Sequence, residues 1–326
     1  MAKFGLTLSN RSVVLGMSST ESMLELARAS DQVPAWDSVW LGDSIFAKPR
    51  LDVMVALGGI AAVTKRVRLG VGCMASAPLR DALLMAYQWA SLDFMSQGRS
   101  IFVACQGQKE AGGGKFSEEF AAFHIPPETR SARMEESIDI LRLISTEENA
   151  SYKGEFNQFE NITVLPRPIQ SPLPIWVTAN PNPDFPKLKE SALRRVARLG
   201  DGWMTTANTV ESLKENFYDI QKYADEEGRP LPDDFEVCLY YNIRVTQDRE
   251  KGIEETAAYL KDYYGVQYDR EFLERWVAIG SPQCCIEEIA KFVEAGATTI
   301  TLRLIGHDEK EQFQRVTEDV LPALVS

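Results

Sequence analysis

The sequence has few histidines, no excess of basic residues and no long apolar run, and each shortage excludes a class of function. Only His124 and His307 occur in 326 residues, so we predict no metal site built on histidine. The five cysteines are odd in number, and no pair has Cys-x-x-Cys spacing; this pattern is typical of reduced thiols. A net charge of −12 argues against nucleic acid as a partner. No apolar run reaches the roughly 18 residues of a membrane span and no basic-then-apolar leader is evident, so we expect a cytoplasmic protein without a membrane partner.

What the sequence does contain is a repeated alternation of short apolar runs with amphipathic stretches. Three runs, 38–41, 67–71 and 100–104, each end at a small or polar residue where a helical pattern is about to begin. Five further strands are predicted at 3–8, 175–178, 203–205, 236–245 and 299–304. Eight such strands, each followed by a helix, predict an α/β fold in which residues 1–326 form a single (β/α)8 TIM barrel.

Three longer segments interrupt this alternation as insertions. The first follows strand four at 106–119 and is rich in glycine and charge. The second follows helix four at 150–171 and predicts a small antiparallel pair of strands. The third follows helix seven at 265–282, with helical character around 272–276.

No G-x-G-x-x-G motif follows strand one, so the dinucleotide fingerprint of a doubly wound sheet is absent. In a parallel barrel the C-terminal strand ends carry the active site, and we expect the chemistry there.

Several stretches, in this order and spacing, resemble the luciferase-like flavin oxidoreductase family. That family comprises bacterial luciferase, alkanesulfonate-type monooxygenases and the coenzyme F420-dependent reductases. Four of the stretches are WDSVWLGDSIFAKPRLD, TKRVRLGVG, LDFMSQGRSIF and LRRVARLGDGWM. The resemblance implies a barrel with an isoalloxazine ring in its mouth and the flavin phosphate near strands four to six.

The resemblance also assigns residues to the cofactor. The family often holds a cis peptide against the ring at the place of Gly72-Cys73. Gln106 falls where luciferase carries a phosphate-binding arginine, and Arg130 and Arg133 are candidate replacements. The predicted cofactor-binding residues are therefore Gly72, Cys73, Gln106, Arg130, Arg133, Thr178, Ala179, Asn180 and Trp203.

Catalytic candidates are scarce, because Ser44 stands where many family members place a histidine. Asp43 is then the remaining titratable group at the end of strand two, and Cys105 matches a reactive thiol of bacterial luciferase. We predict Asp43 and Cys105 as catalytic residues. The predicted substrate-binding residues are Ser44, Tyr240, Trp276 and Arg303, with Tyr241 and His307 as further candidates near the strand ends.

The leading hypothesis is a two-component monooxygenase that uses reduced FMN and O₂ to oxygenate a small organic substrate. It implies a separate flavin reductase as a partner and a homo-oligomer, either a dimer or a tetramer. The first alternative is hydride transfer dependent on coenzyme F420. The second alternative is a non-catalytic flavin-binding subunit, which the missing histidine keeps open.

Overall fold

The computed structural model describes residues 2–107, 114–206 and 209–325. Part of the predicted loop 106–119, at residues 108–113, therefore lies outside the described residues. The strands are β1 (Lys3–Thr7), β2 (Trp36–Leu41), β3 (Arg68–Val71), β4 (Ser100–Ala104), β5 (Ala150–Lys153), β6 (Gln158–Ile162), β7 (Ile175–Thr178), β8 (Gly202–Thr206), β9 (Glu236–Val245), β10 (Val277–Gly280) and β11 (Thr299–Leu304).

Helices separate most of the strands. They are α1 (Asn10–Val14), α2 (Thr20–Gln32), α3 (Val53–Val63), α4 (Ala82–Ser96), α5 (Phe116–Ala122), α6 (Arg130–Thr146), α7 (Pro186–Leu199), α8 (Val210–Glu226), α9 (Arg249–Tyr264), α10 (Arg270–Trp276), α11 (Pro282–Glu294), α12 (Glu309–Arg315) and α13 (Leu321–Leu324). Among the described residues, none of these helices combines the length and apolar character needed to cross a bilayer.

The strand order confirms the predicted fold class. In the described part of the chain, nine strands form one sheet in the order β10-β9-β11-β1-β2-β3-β4-β7-β8, and β9 pairs with β8 as well. The pairing of β9 with β8 closes the sheet, and this is the connectivity of a closed (β/α)8 TIM barrel. The remaining strands, β5 and β6, pair antiparallel, as the segment 150–171 predicts.

One strand was not predicted. Residues 277–280 form β10, which pairs in parallel with residues 242–245 of β9. The preceding prediction of helical character around 272–276 is confirmed by α10. The strand follows that helix without an intervening turn, so no glycine, proline or polar cluster marks its beginning in the sequence.

The chain divides into two compact units, and the first contains Met1–Leu8, Ala29–Trp40 and Trp176–Ser326. Here β1 pairs with β2 on one side and with β11 on the other, in a register that places Lys3 opposite Thr299. Gly5 of β1 has no room for a side chain, because a Cβ atom there would overlap the Trp40 indole and lie 2.7 Å from Ser38 Oγ. The glycine therefore permits close packing of Trp40 on the first strand.

The second unit contains Ser9–Arg28 and Leu41–Ile175. Its buried carboxylate Asp93 has both oxygens satisfied. Oδ1 accepts from Ser100 Oγ and from Gln170 Nε2, each at 2.7 Å, and Oδ2 accepts from the Gln170 backbone N–H at 2.9 Å. These bonds join helix α4, strand β4 and the segment before β7, and so stabilise the packing of these three elements.

Candidate active site

Asp43, two residues beyond β2, is a buried carboxylate that is only partly satisfied. Its Oδ2 accepts from the Ser76 backbone N–H at 2.8 Å, whereas Oδ1 has no hydrogen-bond partner and lies 3.6 Å from Arg80 Nη2. Burial raises the pKa of Asp43, and Arg80, Ser76 and Arg50 only partly offset that effect. The pKa of such a carboxyl is higher than that of an ordinary aspartate, and this suits a group that exchanges protons.

The neighbouring Ser44 uses its hydroxyl inside its own loop. Its Oγ donates to the Lys48 carbonyl at 2.7 Å and accepts from Arg50 Nε at 3.0 Å. A further hydrogen bond to a substrate would have to compete with these two. The role of Ser44 in substrate binding stays a prediction.

Glu119 of α5 holds the loop that follows β2, and the sequence did not indicate this role. Its buried carboxylate accepts from the backbone N–H groups of Ile45 at 3.2 Å and Phe46 at 3.0 Å, and from that of Ala47. The loop after β2 is therefore shaped by an anion that lies more than 70 residues later in the chain. No local pattern signalled this partner, because Glu119 falls in a segment predicted only as an insertion.

Two predicted site residues, Cys73 and Cys105, follow the ends of the neighbouring strands β3 and β4. The peptide bond between Gly72 and Cys73 is cis, as the family resemblance implied. The Met74 backbone N–H donates to the Val103 carbonyl at 2.9 Å, which joins the two strand ends. Cys105, directly after β4, is 8% exposed, and Cys73 is half-buried. The roles of Cys73 in cofactor binding and of Cys105 in catalysis stay predictions.

The predicted phosphate residues of this unit gather at the start of α6. Gln106 Oε1 accepts from Ser131 Oγ at 2.5 Å, a contact that the sequence did not reveal. Arg133 donates from Nε to Thr129 Oγ1 at 3.1 Å, and its guanidinium lies 4.3 Å from the Phe156 ring centroid. Arg130 begins the helix. These groups can bind an anion at a helix N-terminus, where the dipole also favours negative charge.

In the first unit, the ends of β7 and β8 are joined through the predicted residues themselves. Asn180 Oδ1 accepts from Thr205 Oγ1 at 3.1 Å and from the Thr206 backbone N–H at 2.9 Å. Trp203 is fully buried and donates from Nε1 to the Ala179 carbonyl at 3.0 Å. Trp203 therefore supports the end of β7, and its role in cofactor binding stays a prediction.

Aromatic side chains cluster beyond the ends of β8 and β9 in the same unit. Trp276 donates from Nε1 to Thr206 Oγ1 at 2.9 Å, and its ring lies 5.9 Å from that of Tyr264. Tyr240, on β9, is partly buried. Tyr241 projects from the opposite face of β9 and packs against Phe292 of α11, with ring centroids 5.1 Å apart. Tyr240 and Trp276 therefore stay candidates for substrate binding, and Tyr241 belongs to the helix packing.

Arg303 of β11 is the most unusual charged residue of this unit. It is 2% exposed, and its guanidinium carbon lies 3.7 Å from the ring centroid of Tyr263. Nη1 donates to Tyr264 Oη at 3.0 Å, whereas Nε and Nη2 have no hydrogen-bond partner. His307, three residues beyond β11, is exposed and contacts the Tyr259 ring edge-on at 5.3 Å.

Solved structures of other proteins share this fold. A monooxygenase from Streptomyces bottropensis superposes with a TM-score of 0.80 over 99% of both chains, at 22% sequence identity. A coenzyme F420-dependent tetrahydromethanopterin reductase from Methanopyrus kandleri superposes with a TM-score of 0.75 over 98% of this chain and 99% of the reductase, at 18% identity. At these identities the likeness establishes the fold alone.

Sequence comparison reaches further than the fold. A protein of Amycolatopsis mediterranei (strain U-32), named F420-dependent glucose-6-phosphate dehydrogenase, is 24% identical over 327 aligned residues, which cover 93% of this chain and 94% of the relative. The family profile described as luciferase-like monooxygenase matches residues 2–299. The chain therefore belongs to the luciferase-like monooxygenase family and is an oxidoreductase of that family.

Proposed function

We propose that this oxidoreductase transfers a hydride between coenzyme F420, a deazaflavin, and an organic substrate. The observation that carries the proposal is the similarity, over nearly the whole of both chains, to a protein named as F420-dependent. FMN-dependent monooxygenation led the sequence-based hypotheses, and this similarity now favours the first alternative over it.

The strand ends of the second unit fit a deazaflavin. Asp43 Oδ1 is a buried oxygen without a hydrogen-bond partner, and such atoms are normally satisfied by protein, water or a ligand. Gly72, Cys73 and Cys105 would contact the ring, and Gln106 with Arg130 or Arg133 would contact the phosphate. For Thr178, Ala179 and Asn180 of the first unit, the assignment to the cofactor stays a prediction, and Trp203 supports Ala179 through its hydrogen bond.

The protein's own contribution to the reaction centres on one proton. When bound, the deazaflavin supplies the two-electron hydride chemistry. Asp43 Oδ1 would give or take the proton at the substrate oxygen, because burial raises the pKa of this carboxyl above that of an ordinary aspartate. The Ser76 N–H holds the other carboxyl oxygen and so orients Asp43. Arg80, which also pairs with Asp52 at 2.8 Å, keeps a positive charge beside the carboxyl.

Cofactor preference gives the first test. We expect isothermal titration calorimetry to give a dissociation constant for F420 about tenfold or more below that for FMN, a difference of ~1.4 kcal/mol or more. Turnover would then be followed as the loss of deazaflavin absorbance, with glucose 6-phosphate and a secondary alcohol as first substrates. Tighter binding of FMN, or no binding of F420, would contradict the proposal.

The role of Asp43 has a matched control in the same unit. Asp43→Asn should lower turnover by about 10²- to 10⁴-fold, the usual loss for an acid–base group, while F420 binds nearly as before. Asp93→Asn changes another buried carboxylate, whose two oxygens are both occupied by Ser100 and Gln170. It should affect stability and leave the turnover of folded protein unchanged. Equal turnover in both variants would make Asp43 a structural residue.

The second candidate is FMN-dependent monooxygenation, which the description of the matched family favours. It requires a separate reductase to supply reduced FMN, and it consumes O₂ in proportion to product. An oxygen electrode with chemically reduced FMN separates the two candidates. Substrate-dependent oxygen uptake would support the monooxygenase, whereas anaerobic turnover with F420 would support hydride transfer.

A further inference from the structure

Arg303 is a buried cation to which the described part of the chain gives no carboxylate partner. The contrast with Arg244, on the adjacent strand β9, is direct. Arg244 pairs with Asp308 through Nη1 and with Glu255 through Nη2, the latter at 2.6 Å. Both arginines are nearly inaccessible, at 2% exposure for Arg303 and 9% for Arg244. A buried charge is ordinarily paired, so the environment of Arg303 is incomplete as it stands.

The groups that do surround Arg303 are neutral tyrosines. Tyr263 covers one face of the guanidinium at 3.7 Å, and Tyr264 Oη accepts one hydrogen bond from Nη1. The Tyr240 hydroxyl also lies within hydrogen-bonding range of Arg303, and burial raises its pKa despite the opposing effect of that arginine. Cation–π contact attracts the guanidinium, but the N–H bonds lie in its plane and a ring over its face does not satisfy them.

The two unpartnered nitrogens, Nε and Nη2, form one edge of the guanidinium. That edge presents two parallel N–H bonds, the arrangement that binds a carboxylate or phosphate through two oxygens at once. We propose that Arg303 is an oxyanion-binding residue for the substrate, so that this enzyme acts on molecules that carry a carboxylate or a phosphate. The inference deepens the proposed function and rests on it for the reaction that the bound molecule undergoes.

A second unsatisfied buried atom belongs to the residue opposite Arg303 on the neighbouring strand β9. Asn242 pairs with Arg303 in the sheet register and is fully buried; its Nδ2 donates to the Trp276 carbonyl at 3.1 Å, but its Oδ1 has no partner. Neighbouring strands are about 4.8 Å apart, so one ligand can reach both side chains. Asn242 Oδ1 would accept from a hydroxyl of the same molecule. Tyr240 and Tyr264, which neighbour Arg303, are partly exposed.

The test uses the full chain without cofactor and pairs of ligands that differ in charge. The phosphate arm compares glucose 6-phosphate with glucose, and the carboxylate arm compares benzoate with benzyl alcohol, all at matched ionic strength with chloride. Calorimetry should give tighter binding of one anion than of its neutral counterpart by about tenfold or more. Arg303→Met should weaken that anion by about 10- to 100-fold, as loss of a bidentate charged contact implies.

Arg244→Met is the matched control, because it removes a buried arginine whose charge is already neutralised by two carboxylates. It should leave anion affinity within about twofold of wild type when the protein is folded. Arg303→Lys keeps the charge but loses the paired N–H edge, and should bind with intermediate affinity. If Arg303→Met does not fold, the lysine variant decides in its place.

Several outcomes would overturn the inference. In the first, the wild type binds the anion and its neutral counterpart with equal affinity in both arms. In the second, folded Arg303→Met binds the anion as tightly as the wild type does, or Arg303→Lys does so where the methionine variant does not fold. Failure of the proposed function is visible separately. If neither arm needs Arg303 but F420 binds and turns over, only the inference fails; if the anion binds through Arg303 but F420 does not bind, only the cofactor proposal fails.

Discussion

Replacing Asp43 by asparagine removes a charge that the fold holds at a cost. Burial raises the pKa of Asp43 above its unfolded value of 3.8, despite the opposing effects of Arg80, Ser76 and Arg50. A carboxyl of this kind contributes most to stability below the unfolded pKa. That contribution is lost as the pH rises through the folded pKa, because the folded state then has to bury the ionised form.

The size of the effect follows from the pKa difference. Each unit by which folding raises this pKa costs the wild type about 1.4 kcal/mol of unfolding free energy between low and neutral pH. Asparagine does not titrate, so Asp43→Asn should gain on the wild type by that amount as the pH rises. It retains a side-chain oxygen to accept from the Ser76 N–H, and Arg80 retains its ion pair with Asp52.

Urea unfolding of the cofactor-free protein from about pH 4 to about pH 8 measures this difference, provided that the m values stay equal. Asp52→Asn is the matched control, since it alters the other carboxylate that faces Arg80. Burial acts to raise the pKa of Asp52, but hydrogen bonds from Arg80, Val55 and Met54 outweigh it and lower the pKa. Asp52→Asn should therefore lose stability relative to wild type as the pH rises. The reasoning is refuted if both variants drift in the same direction.

Two further changes test the packing. Glu119→Gln replaces the carboxylate that accepts three backbone N–H groups, and should lower the unfolding free energy by about 1.5–3 kcal/mol in urea, whereas the exposed neighbour Glu118→Gln should stay within about 0.5 kcal/mol. Gly5→Ala should cost about 1–3 kcal/mol because the new Cβ overlaps the Trp40 indole. Gly58→Ala, in helix α3 with open space around it, should instead stabilise by about 0.5–1 kcal/mol, and equal effects at the two glycines would contradict the steric argument.

The barrel was predictable because its signal is local and repeated. Strands at 100–104, 175–178, 236–245 and 299–304 have the bounds that the apolar runs indicate. Because strand and helix alternate so regularly, the sequence also indicated that Cys73, Cys105 and Thr178 lie at or just beyond strand ends, whereas Trp203 lies near the start of β8 and Tyr240 in the middle of β9. It did not indicate β10, because that short strand continues from a helix without a turn.

The partners of the candidate residues were beyond the reach of local pattern. The Ser44 hydroxyl is engaged by its own loop, and Glu119 reaches that loop from another helix. Gln106 finds Ser131 across an insertion. Likewise, nothing in the string of residues distinguishes the unpaired Arg303 from the doubly paired Arg244. Such choices depend on which distant side chains arrive at the same strand end.

The register between β1 and β11 has a consequence during protein synthesis. Strand β1 has two neighbours, and the one that starts at Thr299 is made about 290 residues after the first strand. At about 5–20 residues per second, the ribosome takes roughly 15–60 s to produce it. Throughout that interval one side of β1 presents unpaired N–H and C=O groups to other nascent or misfolded chains. The first strand thus waits longest for its second neighbour, and its exposed edge is where we expect chaperone protection to matter most.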